Sequence, residues 1–182
     1  MRAAVEATSD AGGAAGRVLM RAGTAFSETA GGASGALYGA WITSLGQALG
    51  EGEPDTASVA RALETSLETL KRLGGAEPGD KTMIDALEPF VRAFSGAAEG
   101  GSGTTEAWSS ALPAANEGAE ATSGMVSTKG RSSKLGERSR GHKDPGAASM
   151  FIVLSAAGEA LAQRSEQGAA QDATPGSEEG KA

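Results

Sequence analysis

Apolar residues recur at helical spacing in six separate stretches of this chain, and no stretch alternates with the two-residue period of a half-buried strand. Val18, Ala22 and Phe26 mark the first stripe, and Leu37, Trp41, Leu45 and Leu49, with Tyr38 and Ile42 beside them, mark the second. Val59, Leu63, Leu67 and Leu70 follow behind Asp55 as N-cap, and then come Met83, Leu87, Val91 and Phe94. Trp108, Leu112, Ala115, Ala119 and Val126 predict a long fifth helix, and Met150, Leu154, Ala157 and Leu161 a last one. Pro89 and Pro113 fall inside two of these helices and are expected to kink them. The fold class that follows is all-α, an antiparallel helical barrel or bundle. A short opening helix over Arg2 to Thr8 is also expected. From Arg164 onward no apolar stripe remains, so residues 164–182 read as a disordered tail behind one domain spanning 1–163.

Such helices must pack closely, because the chain has 28 glycines and only 4% aromatic residues among its 182. A core built from small side chains with a few large anchors brings helix backbones near one another. There is no cysteine, which removes disulfides and thiolate metal sites. No run of about 18 apolar residues is present to span a bilayer, and the first twenty residues lack the apolar core of a signal peptide. A cytoplasmic protein without a membrane partner is expected. The formal net charge of −7 argues against nucleic acid as a partner, although a local basic loop can still take a phosphate.

Short links between successive helices make neighbours antiparallel, so alternate loops fall at the same end. By that parity the loops over residues 30–34, 74–80 and 129–146 share one end, and those over 50–55 and 99–103 share the other. Met1 is expected at the first end as well. Each of the three converging loops leads into a helix N-terminus, where free N–H groups and the positive end of the helix dipole favour an anion.

In GGASG, at 31–35, Gly31, Gly32 and Gly35 would let backbone approach a phosphate, and Ser34 would supply a hydroxyl or a cap. An ordinary capping turn accounts for the same residues. In GDKTM, at 79–83, Asp80 is expected to cap a helix with Lys81 exposed in its first turn, facing either an anion or Asp85. Met83 fits either the core or the face of a purine. The third loop, GRSSKLGERSRGHKDPGA, gathers Arg131, Lys134, Arg138, Arg140 and Lys143 in an otherwise acidic chain. Asp144 followed by Pro145 reads as an N-cap with proline in the first helical position. Arg131 would grip a phosphate with two donors, while a solvated basic loop is the plain alternative. His142, the only histidine, has no partner in the sequence that would make it catalytic. The acids Glu51, Glu53 and Asp55 read as a solvated turn rather than a cation loop.

Three of these segments, GGASGALYG at 31–39, AEPGDKTMIDALEP at 76–89 and KGRSSKLGERSRGHKDPGA at 129–147, closely resemble the nucleotide-binding L subunit or domain of the dihydroxyacetone kinase family. The match is ordered and spans about residues 14–163. The resemblance implies an all-α barrel with the nucleotide held at one end, and a partner K-type subunit or domain that carries dihydroxyacetone or a related short ketose on its own histidine. It implies a bound adenine nucleotide, either ATP that is consumed or ADP that is rephosphorylated by a phosphotransferase-system donor protein. By position it assigns Ala33 and Ser34 to the nucleotide phosphates, Gly74 and Met83 to the border of the base, and Arg131, Asp144, Pro145 and Gly146 to the rest of the pocket; Gly32, Lys81 and Thr82 stand with them as candidate nucleotide-binding residues.

One departure stands beside this agreement. The family's aspartate-rich GDGDHG-type loop, which holds Mg²⁺ on the nucleotide phosphates, is absent, and only Glu6 and Asp10 are acidic before residue 28. The expectation is therefore a domain shortened at its N-terminus, without metal ligands and impaired in phosphoryl transfer. An alternative role is a non-catalytic, nucleotide-dependent interaction module for a partner kinase subunit or a transcriptional regulator.

Overall fold

The computed structural model describes residues 14–172, with side chains as far as residue 167. The expected helix over residues 2–8 and the position of Met1 lie outside these residues, as does the stretch 173–182. Among the described residues there are six α-helices and no strand: α1 (Ala15–Ala30), α2 (Gly32–Leu49), α3 (Thr56–Gly74), α4 (Ile84–Glu99), α5 (Thr104–Ala121) and α6 (Pro145–Asp172). Two 3₁₀ segments, Thr122–Gly124 and Arg131–Ser139, lie between α5 and α6, the second broken at Gly136.

Each helix packs on the next in the chain, and α6 also packs on α4. The alternation of ends is fixed by contacts at both poles. Thr56 and Thr104, at the starts of α3 and α5, are hydrogen-bonded at 3.0 Å. At the opposite pole the last turn of α3 meets the start of α2, where a Cβ on Gly74 would lie 3.5 Å from Leu37 Cδ2. The Tyr38 hydroxyl, also from α2, reaches Ser149 Oγ on α6 at 2.8 Å. This is the parity that short links impose.

The large anchors collect on α2 to α6. Leu63, Leu70, Leu87, Phe90, Phe94, Met150 and Leu154 are fully buried, and Trp108 stacks edge-on against Phe90 and Phe94 with centroids at 4.9 and 5.8 Å. Its indole N–H donates to Leu154 O at 2.8 Å, which ties α5 to α6. As expected, Asp55 caps α3 by accepting from the Ser58 N–H at 2.7 Å. Alanines 107, 111, 115 and 119 form the buried face of α5, so that helix lies close to α4. Pro89 lacks the N–H that would bond Asp85 O, and Gly118 of α5 seats against that carbonyl.

α1 buries no large side chain; its buried residues are Gly16 and Gly23. A Cβ on Gly46 would lie 2.5 Å from Gly16 O and 2.8 Å from Met20 N, and one on Gly39 would lie 2.6 Å from Ser27 Cβ and 2.8 Å from Gly23 O. The two backbones are therefore in contact along a seam of glycines, where main-chain dispersion takes the place of interdigitated side chains.

Two expectations are corrected here. The fifth helix stops at Ala121 instead of running to Val126, because the buried Thr122 turns its hydroxyl to Ala119 O at 2.6 Å and accepts the Asp144 N–H at 2.9 Å. The last helix continues through residues 164–172, which were expected to be disordered. Arg, Glu, Gln and Ala extend an existing helix without needing an apolar face. By length and composition Pro145–Gln167 is apolar enough to cross a membrane, with a mean hydropathy of 1.4, although, as expected, no unbroken apolar run marks it. Its Ala147, Met150 and Leu154 are nevertheless committed to the protein core. α4 and α5 run on through Pro89 and Pro113 as single helices.

The glycine seam predicts that Gly46→Ala lowers the unfolding free energy in urea by about 1–3 kcal/mol, because the helices must separate. Gly96→Ala, on α4 with nothing within 4 Å of the new methyl, should be neutral or stabilising by up to about 1 kcal/mol. Equal stabilities for the two variants would contradict backbone contact between α1 and α2.

Candidate functional site

The end shared by the α1–α2, α3–α4 and α5–α6 loops is assembled from three helix starts, and they are satisfied very differently. At α2, Gly31 and Gly32 take φ values of 59° and 63°, a conformation that disfavours any side chain, and nothing lies within 4 Å of where a Cβ would sit on either. The first helical bond runs from Gly35 N–H to Gly31 O at 3.1 Å, so the N–H groups of Gly32, Ala33 and Ser34 have no helical acceptor. No side chain caps them, so the capping role expected of Ser34 is not found. Ala33 and Ser34 are exposed. This helix start is open to solvent and carries the positive end of its dipole outward.

At α4 the arrangement corrects the sequence expectation. The helix begins at Ile84, and Asp80 does not cap it. Asp80 instead accepts the Glu77 N–H at 2.9 Å and bonds the Thr128 hydroxyl, and that hydroxyl bond first, then the Glu77 N–H, holds its carboxyl below the ordinary value. The cap is a reciprocal one: Thr82 Oγ1 accepts the Ile84 N–H at 3.2 Å while Asp85 Oδ2 accepts the Thr82 N–H at 2.7 Å. Asp85 Oδ1 also takes the Gly79 N–H at 2.5 Å. Lys81 is buried rather than exposed, at 3% accessibility, and it does not pair with Asp85. Its ammonium donates to Ser139 O at 2.5 Å and Met125 O at 3.1 Å. Its φ of 62° makes it the one non-glycine residue with positive φ among those described, a conformation costing about 1–3 kcal/mol.

At α6, Asp144 caps as the sequence predicts, accepting the Ala147 N–H at 2.7 Å, with Pro145 in the first helical position. Burial pushes its carboxyl above the ordinary value against the pull of the Ala147 and Gly146 N–H groups, and the nearby Asp85 adds to the rise. Gly146 lies against Met83, which is buried: a Cβ there would be 3.4 Å from Met83 N. The buried Tyr38, whose hydroxyl is also raised in pKa chiefly by burial, stands 3.4 Å from Gly146 O as a donor.

These contacts link the three loops at one end of the bundle. Gly74 adjoins Leu37 near the GGAS turn, Tyr38 joins that turn's helix to Gly146, Gly146 touches Met83, and Lys81 holds the loop that carries Arg131. Arg131, Lys134 and Arg138 are exposed and have no carboxylate within ion-pair distance among the described residues, whereas Arg140 pairs with Glu137 and Lys143 with Glu120. His142 is exposed. Tyr38, Thr122 and Ser139 were not foreseen as site residues, and Asp85 was foreseen only as a possible partner for Lys81. The T-x-x-D spacing of Thr82 and Asp85 is a capping signature that could have revealed the true helix start.

Metal is a separate matter. Among the described residues no group of three or more acidic or histidine side chains could hold an ion. The two carboxylates buried at this end, Asp85 and Asp144, are occupied by backbone N–H groups. The described residues therefore do not fit a magnesium site, which needs several uncommitted oxygens.

A DAK2 domain family model matches residues 1–159. The chain is 42% identical over 151 residues to the D-erythrulose kinase of Mycolicibacterium smegmatis, covering 82% of this chain and 26% of that protein. It is 34% identical over 140 residues to the ADP-binding subunit DhaL of the PEP-dependent dihydroxyacetone kinase of Escherichia coli, covering 76% of this chain and 67% of that subunit. Its fold resembles the dihydroxyacetone kinase of C. freundii in the native crystal form, with a TM-score of 0.59 and 31% identity over 80% of this chain and 24% of the other. The same kinase in complex with AMP-PNP and Mg²⁺ superposes with a TM-score of 0.53 and 31% identity over 78% and 23% of the two chains. The chain thus spans about a quarter of the length of either full kinase.

The raised Asp144 carboxyl has a pH consequence. The folded state takes up this proton at a higher pH than the unfolded chain, so the group's stability contribution is full below the ordinary value of 3.8 and is lost as pH rises through the folded value. The difference in unfolding free energy, wild type minus Asp144→Asn, should therefore rise as urea titrations are moved from neutral pH toward that window. A difference that stays flat or falls contradicts the assignment.

Proposed function

The chain belongs to the DAK2 domain family, and on that premise we propose that it is the adenine-nucleotide-binding part of a dihydroxyacetone or short-ketose kinase. The observation that carries this reading is the start of α2: three exposed, uncapped N–H groups behind two positive-φ glycines, at the end where the other two loops converge. The phosphates of ATP or ADP lie on Gly32, Ala33 and Ser34, with Arg131 supplying a two-pronged charge. Gly74 and Met83 border the base, and Asp144, Pro145 and Gly146 close the pocket. Lys81 and Thr82 serve this site through the turn they build, since the Lys81 ammonium is spent on carbonyls. The partner is a K-type subunit or domain that holds the ketose, the phosphoryl group comes from ATP or from a phosphotransferase-system protein, and the setting is cytoplasmic.

Phosphoryl transfer is largely a matter of aligning the donor and neutralising its oxygens. Among the described residues the loops supply alignment and the exposed Arg131 guanidinium, but no carboxylate set for Mg²⁺, so on this reading phosphoryl transfer by the chain on its own is impaired. Calorimetry tests the binding: ADP should bind, and Arg131→Ala should weaken it about tenfold, the worth of a charge-assisted bond. Absence of any binding at millimolar ADP would overturn the reading. Mixed with a K-type partner, ketose and ATP, the chain should turn over far more slowly than a relative carrying the aspartate-rich loop; comparable rates would refute the impairment.

A further inference from the structure

Building on the nucleotide reading, we propose that Lys81 is a positioning residue whose buried ammonium pins both ends of the segment between Met125 and Ser139 and thereby fixes Arg131 at the mouth of the site. Residues 122–144, helical only in two 3₁₀ segments, form the longest connection between α-helices among the described residues, and Arg131, Lys134 and Arg138 on it are exposed with no carboxylate at ion-pair distance. Such a segment holds one position only if its ends are closed, and closing them removes most of its freedom. Lys81 does this with one group, donating to Met125 O and Ser139 O, which are 44 and 58 residues away in sequence. The neutral bonds Ser127 N–H to Ser139 Oγ at 2.9 Å, Gly141 N–H to Ser123 O at 2.8 Å and Thr128 N–H to Asp80 O at 3.3 Å lie along the same closure.

The cost accepted at residue 81 supports a role beyond filling space. A buried ammonium with no carboxylate at ion-pair distance must be met by hydrogen bonds, and the residue also holds a left-handed backbone that a glycine would adopt freely. Asp85 maintains that backbone, since its two oxygens take the N–H groups of Gly79 and Thr82 on either side of Lys81. The order of support runs from Asp85 to the 79–82 turn, from the turn to Lys81, and from Lys81 to the loop bearing Arg131. Met83 and Gly146, packed together next to this turn, share the same foundation.

Lys81→Met keeps the length of the side chain and removes the charge. Folding judged by circular dichroism should persist, while trypsin should cut after Arg131, Lys134, Arg138, Arg140 and Lys143 about tenfold faster or more, because the loop opens locally. ADP affinity should fall about as far as in Arg131→Ala, and the double variant should be no weaker than Lys81→Met alone, because both act through one contact. Unchanged cleavage in a folded Lys81→Met, or losses that multiply in the double variant, would overturn the proposal. If Arg131→Ala leaves ADP binding intact, the nucleotide reading fails and Arg131's role with it, while the cleavage rates still decide whether Lys81 clamps the loop. Should Lys81→Met not fold, hydrogen exchange on the wild-type protein without nucleotide replaces it: the Ser127 and Gly141 amides should be protected, and exchange at free-chain rates would refute the clamp.

Discussion

Short links between packed helices govern this molecule. Once α1 to α5 are joined by turns too brief to cross the bundle, neighbours must run antiparallel, and odd-numbered turns gather at one pole. Everything chemically interesting follows from that gathering. A glycine turn, an aspartate-braced turn and a basic loop, separated by tens of residues in the chain, become neighbours without any contact having been designed between them in sequence. The Thr56–Thr104 bond at the far pole and the Tyr38–Ser149 bond at the near one are the two ends of the same arithmetic.

The three helix starts at the near pole are not equivalent, and their difference gives the site its polarity. Asp144 and the Thr82–Asp85 pair occupy the N–H groups of α6 and α4 with side chains, while α2 keeps its own free. An incoming anion therefore has one helix dipole available to it and two already answered. Burying two carboxylates so close together would be unfavourable alone; backbone N–H groups satisfy their oxygens, and burial first, then the neighbouring Asp85, leaves the Asp144 carboxyl raised.

Much of the architecture was legible because periodicity reports burial. The stripes on α3 and α4 name the residues that fill the core, and the Asp55 and Asp144–Pro145 caps are local signals that tertiary packing had no reason to override. What the sequence concealed was of two kinds. Residues 164–172 carry no apolar stripe and are helical all the same, since a stripe marks a buried face and not helicity itself. Lys81 was placed outside because a lysine early in a helix normally faces water; here the chain takes a left-handed step just before the helix, and that step turns the side chain inward. Positive φ on a lysine has no signature in composition or spacing. Asp85 lay four residues on and looked like an ion-pair partner, when its work is to hold the backbone that makes the step.

The glycine seam of α1 and α2 bears on how the near pole moves. Side-chain layers between helices yield by rotamer changes, but main chain against main chain has no such slack. α1 and α2 are therefore coupled along their backbones up to the Gly31–Ser34 turn, and α1 adds to the core only half-buried side chains such as Leu19 and Phe26, the latter with its ring centroid 5.7 Å from that of Tyr38. A push on the outer face of α1 would therefore reach the open N–H groups through backbone contact, so the helix that fills least of the core is also the handle by which the binding tip would be steered.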